Sequence, residues 1–287
     1  MTSWRVTDRV LEFPPSLAVG IVNVSGDSFF EGARNETPES AVEDGVALAE
    51  AGFDLIDVGA VPARSGPEIS APEEAARLVP AVGGLAARVE APVTADTFQP
   101  EVARGALEAG AVAINDISGG ADPAMLELVA ERGCGYVLMH IAGPPRDDRE
   151  PPGHADPVLH VKRWFEDRVE AALAAGVAED QIALDPGLDF DLSVGDDLEI
   201  LRRLGELREL GRPLFVALSR KDFLGAVLAG SWEGRVEPAG REWATAAATT
   251  LAVAAGAEMA RLHDRSGLDA LRVAAAIAGQ PVASHDG

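Results

Sequence analysis

Short apolar runs alternate with stretches that repeat apolar residues at helical spacing, and this alternation continues along most of the chain. Runs of about 4–8 apolar residues that end at turn-forming residues are typical of buried strands in a parallel sheet. Eight such strands are predicted, over residues 17–24, 53–59, 92–97, 111–117, 136–140, 182–187, 213–218 and 259–263. Helices are predicted between and after them, over residues 39–51, 72–89, 100–109, 123–132, about 161–173, 198–207, 242–255 and 268–278.

Eight strand-and-helix units without a linker predict an α/β protein with a single (β/α)8 TIM barrel. An open doubly wound sheet is the alternative, and it predicts a glycine-rich phosphate-binding turn after the first strand. Residues 20–26 read Gly-Ile-Val-Asn-Val-Ser-Gly and lack that glycine spacing. We expect residues 1–16 to form a short N-terminal ribbon that packs on the barrel, residues 17–278 to form the barrel, and residues 279–287 to form a tail.

Polar side chains stand where nearly every predicted strand ends. They are Asn23, Asp57, Asp96, Asn115, His140, Asp185, Lys221, Arg261 and His263. A (β/α)8 barrel brings the carboxyl ends of all its strands to one mouth, where the active sites of this fold lie. Loops are polar in any case, so each position alone is weak evidence, but together they predict a polar pocket at this mouth.

The candidate residues fall into two chemical sets. The first combines carboxylates with an amide and an ammonium group, which together can bind the edge of a flat heterocycle: Asp96, Asn115, Asp185 and Lys221. The second carries donors suited to phosphate oxygens: Asn23, Arg64, Arg261 and His263. Arg220 either joins the second set or pairs outward with an acidic side chain. A structural alternative is that Asp96 and Asp185 form salt bridges with Lys221 inside the barrel.

A metal ion has two candidate arrangements. His140 and His263 end two different strands, but the sequence has no His-x-His or His-Glu-x-x-His spacing that would indicate zinc. Mg²⁺ bound mostly by substrate phosphate and water, with Asn23 as a protein ligand, suits the oxygen donors better.

The net charge of −23 narrows the choice of partners. Nucleic acid and anionic membranes would repel so acidic a chain, so we expect small molecules as ligands. The sequence has no run of about 18 apolar residues and no signal-peptide pattern at its start. Its one cysteine, Cys134, cannot form an internal disulfide, which fits a reducing, cytoplasmic location.

Eight short motifs at the strand ends carry a family resemblance. They are Gly20-Ile-Val-Asn-Val-Ser-Gly-Asp-Ser-Phe-Phe, Ile56-Asp-Val-Gly, Asp96-Thr97, Ile114-Asn-Asp-Ile-Ser, Leu138-Met-His, Leu184-Asp-Pro-Gly, Ser219-Arg-Lys and Arg261-Leu-His-Asp. In order and spacing, over residues 17–278, they resemble the motifs of dihydropteroate synthase. The resemblance implies a pterin-binding (β/α)8 barrel, usually a homodimer. It also implies an Mg²⁺-dependent reaction in which para-aminobenzoate displaces pyrophosphate from a hydroxymethyl-dihydropterin diphosphate.

The resemblance also implies roles for individual residues. Substrate contacts are implied at Asn23, Arg64, Asp96, Asn115, Met139, Asp185, Lys221, Arg261 and His263. Among these positions, the catalytic roles fall on Asp96, Asp185 and Lys221, and Mg²⁺ binding falls on Asn23. For the implied homodimer, the apolar helix faces at residues 246–254 and 271–277 are candidate surfaces, although core packing explains them equally well.

Three loops depart from the usual family pattern, at residues 25–34, 60–67 and 188–195. Residues 25–29 read Ser-Gly-Asp-Ser-Phe where the family has Thr-Pro-Asp-Ser-Phe, and Ala63 replaces the threonine that usually precedes the arginine. After Asp-Pro-Gly, the usual Gly-Phe-Gly-Lys is Asp-Phe-Asp-Leu at residues 189–192. Because these loops shape the side that receives para-aminobenzoate, the departures bear on the second substrate.

Three hypotheses therefore stay open. The first is a working dihydropteroate synthase with altered loops. The second is a paralogue that binds the pterin diphosphate but lacks this activity or uses another nucleophile. The third is a pterin-binding module of the folate-dependent methyltransferase type, which needs no diphosphate site. Arg64, Arg261 and His263 count against the third hypothesis because they suit an anionic leaving group.

Overall fold

The structure, a computed structural model, describes residues 2–24, 37–61, 69–147 and 151–281. Two antiparallel strands form a ribbon: β1 (Thr2–Val6) and β2 (Arg9–Phe13). Eight parallel strands follow: β3 (Leu17–Asn23), β4 (Leu55–Gly59), β5 (Val93–Asp96), β6 (Ala113–Asp116), β7 (Gly135–Met139), β8 (Ile182–Asp185), β9 (Phe215–Ala217) and β10 (Met259–Leu262). The α-helices within these ranges are α1 (Pro38–Ala51), α2 (Ala71–Ala86), α3 (Pro100–Glu108), α4 (Pro123–Arg132), α5 (Pro157–Ala174), α6 (Val194–Arg202), α7 (Asp222–Ala229), α8 (Glu242–Ala254) and α9 (Arg265–Ile277).

The parallel strands form one barrel, in the order β8-β7-β6-β5-β4-β3-β10-β9. A bridge between Leu184 in β8 and Leu214, just before β9, joins the two ends of the sheet. Because the sheet closes on itself, the predicted single (β/α)8 barrel is confirmed and the open doubly wound sheet is excluded. The short N-terminal ribbon is present as predicted.

Alternate residues of each strand point into the barrel, as the two-residue period of a strand requires. Towards the amino ends of the strands, these inward side chains form an apolar layer: Val19, Leu55, Ala113, Val137, Ala183, Phe215 and Met259. The opposite faces of the strands pack against the helices in a larger core. Since the apolar layer fills the amino end, the polar residues farther along the same strands lie at the carboxyl-end mouth.

The β1–β2 ribbon covers the amino end of the barrel. Trp4, Val6 and Phe13 are buried in the apolar layer, and Trp4 Nε1 donates to the Gln181 carbonyl at 2.7 Å. A Cβ at Gly135 would lie within 2.8 Å of the Trp4 and Val6 side chains, so glycine at this position lets the ribbon approach β7.

The predicted C-terminal tail, residues 279–287, lies only partly within the described residues. Residues 282–287 are outside them. Near its start, the side-chain oxygen of Gln280 accepts a hydrogen bond from Ser16 N at 2.7 Å, so this part of the chain contacts the barrel.

Most helices lie where the sequence predicts them, with two differences. The helix expected over 198–207 is α6 followed by a 3₁₀-helix, Leu204–Leu210. Leucines at 204, 207 and 210 repeat every three residues, which matches about 3.0 residues per turn in a 3₁₀-helix better than the α-helical period. The short helix α7, which begins after Lys221, was not predicted. No described helix combines the length and apolar character needed to cross a bilayer.

Candidate active site

A row of residues at the mouth is set by the register of four neighbouring strands. Asn23 pairs with Gly59, and Gly59 pairs with Asp96. Asp96 in turn pairs with Asn115, so the four residues form a continuous row of register partners from β3 to β6. A Cβ at Gly59 would lie 3.4 Å from Asp96 Cβ, so the glycine leaves space within the row.

Arg261 joins two carboxylates inside the barrel. Its Nε donates to Asp57 Oδ2 at 2.6 Å, and its Nη2 donates to Asp96 Oδ2 at 2.7 Å. Asp57 also accepts from Thr94 Oγ1 at 2.6 Å and from Asn115 Nδ2 at 3.1 Å. The Asp57 side chain is fully buried, and a buried carboxylate requires such a charge partner and donors. The cation paired with Asp96 is therefore Arg261, rather than the Lys221 of the structural alternative.

Asn115 has one acceptor that a ligand could use. Its Nδ2 donates to Asp57, whereas its Oδ1 is buried and has no hydrogen-bond partner among the described residues. A buried amide oxygen without a donor costs about 1–3 kcal/mol. A ligand with a ring N–H or an amino group would satisfy this oxygen.

Asp96 has an unusual electrostatic environment. Burial raises the pKa of its carboxyl to about 7, although the Arg261 guanidinium acts in the opposite direction. The nearby carboxylates of Asp57 and Glu74 add to the increase. Near neutral pH, Asp96 therefore exchanges between an ionised form that accepts hydrogen bonds and a neutral form that can also donate one.

Asp185 ends β8 beside Met139, its register partner on β7. Its Oδ1 accepts from the Gly187 N–H at 2.9 Å, which holds the carboxyl in place. Burial raises the pKa of Asp185 to about 6, against the opposing positive charges of Lys221 and Arg261. Asp185 is therefore close enough to both Lys221 and Arg261 for their charges to act on its carboxyl.

The turn that carries Lys221 is held by the start of α8. Arg220 N donates to Thr245 Oγ1 at 3.0 Å. Arg241, which is buried, donates through Nη1 to the Arg220 carbonyl at 2.7 Å and to Asp222 Oδ1 at 2.6 Å. Backbone and side-chain bonds on both sides of Lys221 thus fix the direction in which the lysine leaves the turn.

His263 follows the last strand and lies on the cationic side of the mouth. Its Nδ1 is 2.9 Å from Ser219 Oγ. Burial, together with the cations of Arg220 and Arg261, lowers the pKa of His263 to about 3, so the imidazole is neutral at physiological pH. Arg220 Nη2 donates to Asp264 Oδ2 at 2.7 Å, which is the outward pairing considered for this arginine.

Apolar side chains form a wall beside the polar layer. The cluster contains Ile117, Met139 and Ile141, with Phe98, Trp164 and Phe190 packed against them. The Lys221 ammonium lies 4.3 Å from the centre of the Phe190 ring, within the range of a cation–π contact. An apolar wall next to edge-reading polar groups suits a flat aromatic ring.

Of the remaining predicted positions, His140 is not part of this cluster. Arg64 lies outside the described residues. His140 follows Met139, so its side chain points to the opposite side of β7, where its Nε2 lies 3.3 Å from His160 Nε2 and its ring contacts Trp164. Zinc binding by His140 and His263 is therefore not supported. Within 2–24, 37–61, 69–147 and 151–281, no three histidine, cysteine or acidic side chains are arranged to hold a metal ion.

Asp57 is the central residue to which the sequence assigned no role. It was recognised as a strand end, but it accepts bonds from three side chains, including the unpredicted Thr94. A signal was present, because a carboxylate within the otherwise apolar strand Leu55–Gly59 requires a buried partner.

Comparisons with known proteins agree with this geometry. A family model described as pterin binding enzyme matches residues 19–263. Dihydropteroate synthase of Mycobacterium leprae is 41% identical over 272 residues, covering 93% of this chain and 95% of that protein. Inactive dihydropteroate synthase 2 of the same organism is 38% identical, covering 86% of this chain and 85% of its own length. The structure of Xanthomonas albilineans dihydropteroate synthase with 4-aminobenzoic acid has a TM-score of 0.86 at 36% identity, covering 97% of this chain and 99% of that one.

Proposed function

The chain belongs to the dihydropteroate synthase family, and we propose that it condenses para-aminobenzoate with a hydroxymethyl-dihydropterin diphosphate and releases pyrophosphate. It is accordingly a transferase of folate biosynthesis. The observation that carries the proposal is the single polar layer in which Arg261 pairs with Asp57 and Asp96 beside Asn115.

The ring-binding part of the site is the row of acceptors at the mouth. Asp96 and Asp185 are the carboxylates that would accept from ring N–H and amino groups, and Asn115 Oδ1 is the buried acceptor that needs a donor. Lys221 would donate to ring acceptors. The apolar wall around Met139 would pack against the ring face and exclude water.

The leaving-group part of the site combines a guanidinium, an imidazole and an amide. Arg261 lies near the end of β10 and His263 directly follows this strand, while Asn23 ends the adjacent β3. Together with Arg64, they would donate to diphosphate oxygens. The single amide among them fits an Mg²⁺ ion that reaches the site on the diphosphate, with Asn23 as its protein ligand. When bound, the ion would neutralise charge on the leaving group.

The reaction requires little covalent participation by the protein. The amino nitrogen of para-aminobenzoate forms a bond to the exocyclic methylene carbon while the bond from that carbon to the diphosphate oxygen breaks. Pyrophosphate leaves with the electron pair, and the nitrogen loses a proton to solvent. The electron-rich ring stabilises positive charge on the methylene carbon, so the protein chiefly holds the ring and supports the departing anion.

The decisive experiment is an assay of purified protein with Mg²⁺ and both substrates. Pyrophosphate release that depends on para-aminobenzoate, with stoichiometric dihydropteroate formation, is the expected result. Release without para-aminobenzoate would indicate hydrolysis. No release, despite measurable binding of the pterin diphosphate, would exclude the synthase and favour the second candidate.

That second candidate is a family member without synthase activity. Two observations favour it: the 38% identity to an inactive relative and the replacement of Gly-Phe-Gly-Lys by residues 189–192. Whether it lacks activity or uses another nucleophile, it predicts diphosphate-dependent pterin binding by calorimetry without para-aminobenzoate-dependent turnover. The methyltransferase-type module ranks lower, because Arg261 and His263 suit an anionic leaving group that such a module does not need. It predicts equal affinity for the pterin with and without its diphosphate.

The assembly proposed for this protein is a homodimer formed through α8 and α9. Large apolar side chains are exposed on these two helices: Trp243, Leu251, Val273 and Ile277. Leu251, Val273 and Ile277 lie within the candidate surfaces at residues 246–254 and 271–277, and Trp243 lies just before the first of them. We also propose a cytoplasmic location, which the single cysteine, Cys134, favours.

A further inference from the structure

The turn after β9 places Lys221 at the position whose side chain normally caps the start of a helix. Lys221 is the N-cap residue of α7, with extended backbone angles of φ −60° and ψ 147°. Serine, threonine, aspartate and asparagine are favoured here because their oxygens accept from the first backbone N–H groups. A lysine side chain has no acceptor, so the cap must come from elsewhere.

Asp189 supplies this cap from the loop after β8. Its Oδ2 accepts from Asp222 N at 2.8 Å, and its Oδ1 accepts from Phe223 N at 3.0 Å. The Asp189 side chain is buried, and a carboxylate at this position also interacts favourably with the helix dipole. The two residues that immediately follow Lys221 are therefore fixed by one side chain of another loop.

Asp189 is itself held in an unusual backbone conformation. Its φ of 74° lies in the left-handed region, which glycine and, less readily, aspartate and asparagine adopt. Its N–H donates to Asp197 Oδ1 at 2.9 Å. The usual family sequence has glycine at this position, so the present chain carries a carboxylate where the family pattern has no side chain.

The next residue of the same loop contacts the lysine side chain. The Phe190 ring centre lies 4.3 Å from the Lys221 ammonium, and Phe190 N donates to the Gly187 carbonyl at 2.9 Å. The backbone after Lys221 and the end of its side chain are thus both contacted by consecutive residues that follow Asp185-Pro186-Gly187.

We propose that Asp189 is a positioning residue for Lys221, which it directs into the pterin site by capping α7 from the neighbouring loop. This inference rests on the proposed role of Lys221 in pterin binding. It assigns a purpose to a departure from the family pattern: the aspartate stiffens the lysine turn where glycine would not. Asp189 is buried and its two side-chain oxygens accept from the start of α7, so its effect on binding is proposed to pass through Lys221.

The test uses Asp189→Gly, which keeps the left-handed backbone accessible while removing both acceptors. We expect the affinity for the pterin diphosphate, measured by calorimetry, to fall about tenfold in this variant. Asp189→Asn retains one oxygen acceptor, so its affinity is expected to lie between those of Asp189→Gly and the wild type. The matched control is Asp191→Gly. Asp191 is also left-handed, with φ 56°, but its Oδ2 accepts from Ala142 N at 3.1 Å, in the segment after β7 and not in the turn that carries Lys221. Its affinity is expected to match the wild type.

A double-mutant cycle decides whether Asp189 acts through Lys221. In a Lys221→Ala background, Asp189→Gly is expected to cause no more than a twofold further loss, because the group that it positions is gone. A full tenfold loss in that background would overturn the proposal, as would wild-type affinity in the single variant. If Asp189→Gly does not fold, the same cycle with Asp189→Asn decides by the same criterion.

The binding cycle separates this inference from the proposed function. If the wild-type protein binds the pterin diphosphate but does not turn over para-aminobenzoate, the synthase is excluded. The double-mutant cycle of Asp189 and Lys221 still tests the inference, because it measures binding alone. Wild-type protein that binds no pterin diphosphate would overturn both. Equal kcat and KM for wild type and Asp189→Gly, in a protein that does turn over, would overturn the inference alone.

Discussion

Arg261 donates from Nε to Oδ2 of Asp57 at 2.6 Å, linking β10 to β4 across the intervening strand β3. This ion pair is the centre of the polar layer, because the same guanidinium reaches Asp96 and the same carboxylate reaches Asn115. Sequence considerations assigned Arg261 to the diphosphate. In the structure it pairs with acids on the ring-binding side, so it connects the two parts of the site.

Replacing Asp57 by alanine tests this central role. The change leaves the partly buried Arg261 with one carboxylate partner fewer and removes acceptors from Thr94 and Asn115. We expect the free energy of unfolding to fall by about 3 kcal/mol, as for other broken buried ion pairs, and pterin affinity to fall with it. Chemical denaturation and calorimetry measure the two effects.

A matched control for Asp57 is Asp54→Ala. Asp54 Oδ2 accepts from Ala18 N at 2.8 Å, near the start of β3 and away from the mouth. The Asp54→Ala substitution should lower the free energy of unfolding without changing the affinity for the pterin. Loss of affinity in proportion to stability in both variants would contradict a specific role for Asp57.

Asp185→Asn should weaken pterin binding yet stabilise the protein at pH 8. Burial raises the folded-state pKa to about 6, above the ordinary value of 3.8, so the folded protein binds this proton more tightly than the unfolded chain. The resulting stability is present at low pH and is lost as pH rises from about 4 to about 6. Asparagine removes that penalty, which is at most about 3 kcal/mol.

Thermal melts at pH 4 and pH 8, together with calorimetry, check the Asp185 prediction. The melting temperature of Asp185→Asn should exceed that of the wild type at pH 8 only. Unchanged pterin affinity would remove Asp185 from the binding site.

Pterin affinity should decrease as the pH falls from 8 to 5. The pKa of Asp96 is raised to about 7 and that of Asp185 to about 6, in both cases mainly by burial. Protonation removes the carboxylates that accept from the ring, so a loss of at least about tenfold is expected. Binding of a bare pterin, measured across this range in wild type and Asp96→Asn, checks it. In Asp96→Asn, the change in affinity near pH 7 should disappear. A wild-type affinity that does not change with pH would contradict ring binding by these carboxylates.

Arg261 and His263 should respond differently to the form of the ligand. Arg261→Lys disturbs Asp57 and Asp96, so it should weaken binding of both the bare pterin and its diphosphate. His263→Ala should weaken only the diphosphate form, by about tenfold, because the neutral imidazole offers a donor to the leaving group and alanine offers none. Titrating both variants with both ligands measures this, and equal selectivity for the two variants would argue against separate roles.

The proposed dimer surface can be tested with charge. Leu251 on α8 and Ile277 on α9 are 67% and 78% exposed, and the proposal is that a second copy of the chain covers them. We expect Leu251→Asp to yield monomers in sedimentation velocity. The control is Val10→Asp on the ribbon, where the residue is 56% exposed but far along the chain from both helices. A wild-type monomer at micromolar concentration would contradict the proposal.

The sequence by itself determined the barrel and the height of its polar layer. Apolar runs with a polar residue at the carboxyl end recur in every unit, and a closed barrel gathers such ends at one mouth. For this reason Asp96, Asn115, Asp185 and Arg261 could be grouped without coordinates. The helix α4 was also placed correctly, because Pro123 and Gly133 mark its two ends.

Only the tertiary structure decided which of these groups pair with each other. The one-residue alternation along β7 directs Met139 into the mouth and His140 towards α5, and pairing across the barrel makes Arg261 the partner of both Asp57 and Asp96. Likewise, Asp189 caps the helix after Lys221 by accepting from Asp222 N, 33 positions later in the chain. Local pattern specifies the height and side of each residue on its own strand, whereas contacts between distant strands depend on how the closed sheet brings them together.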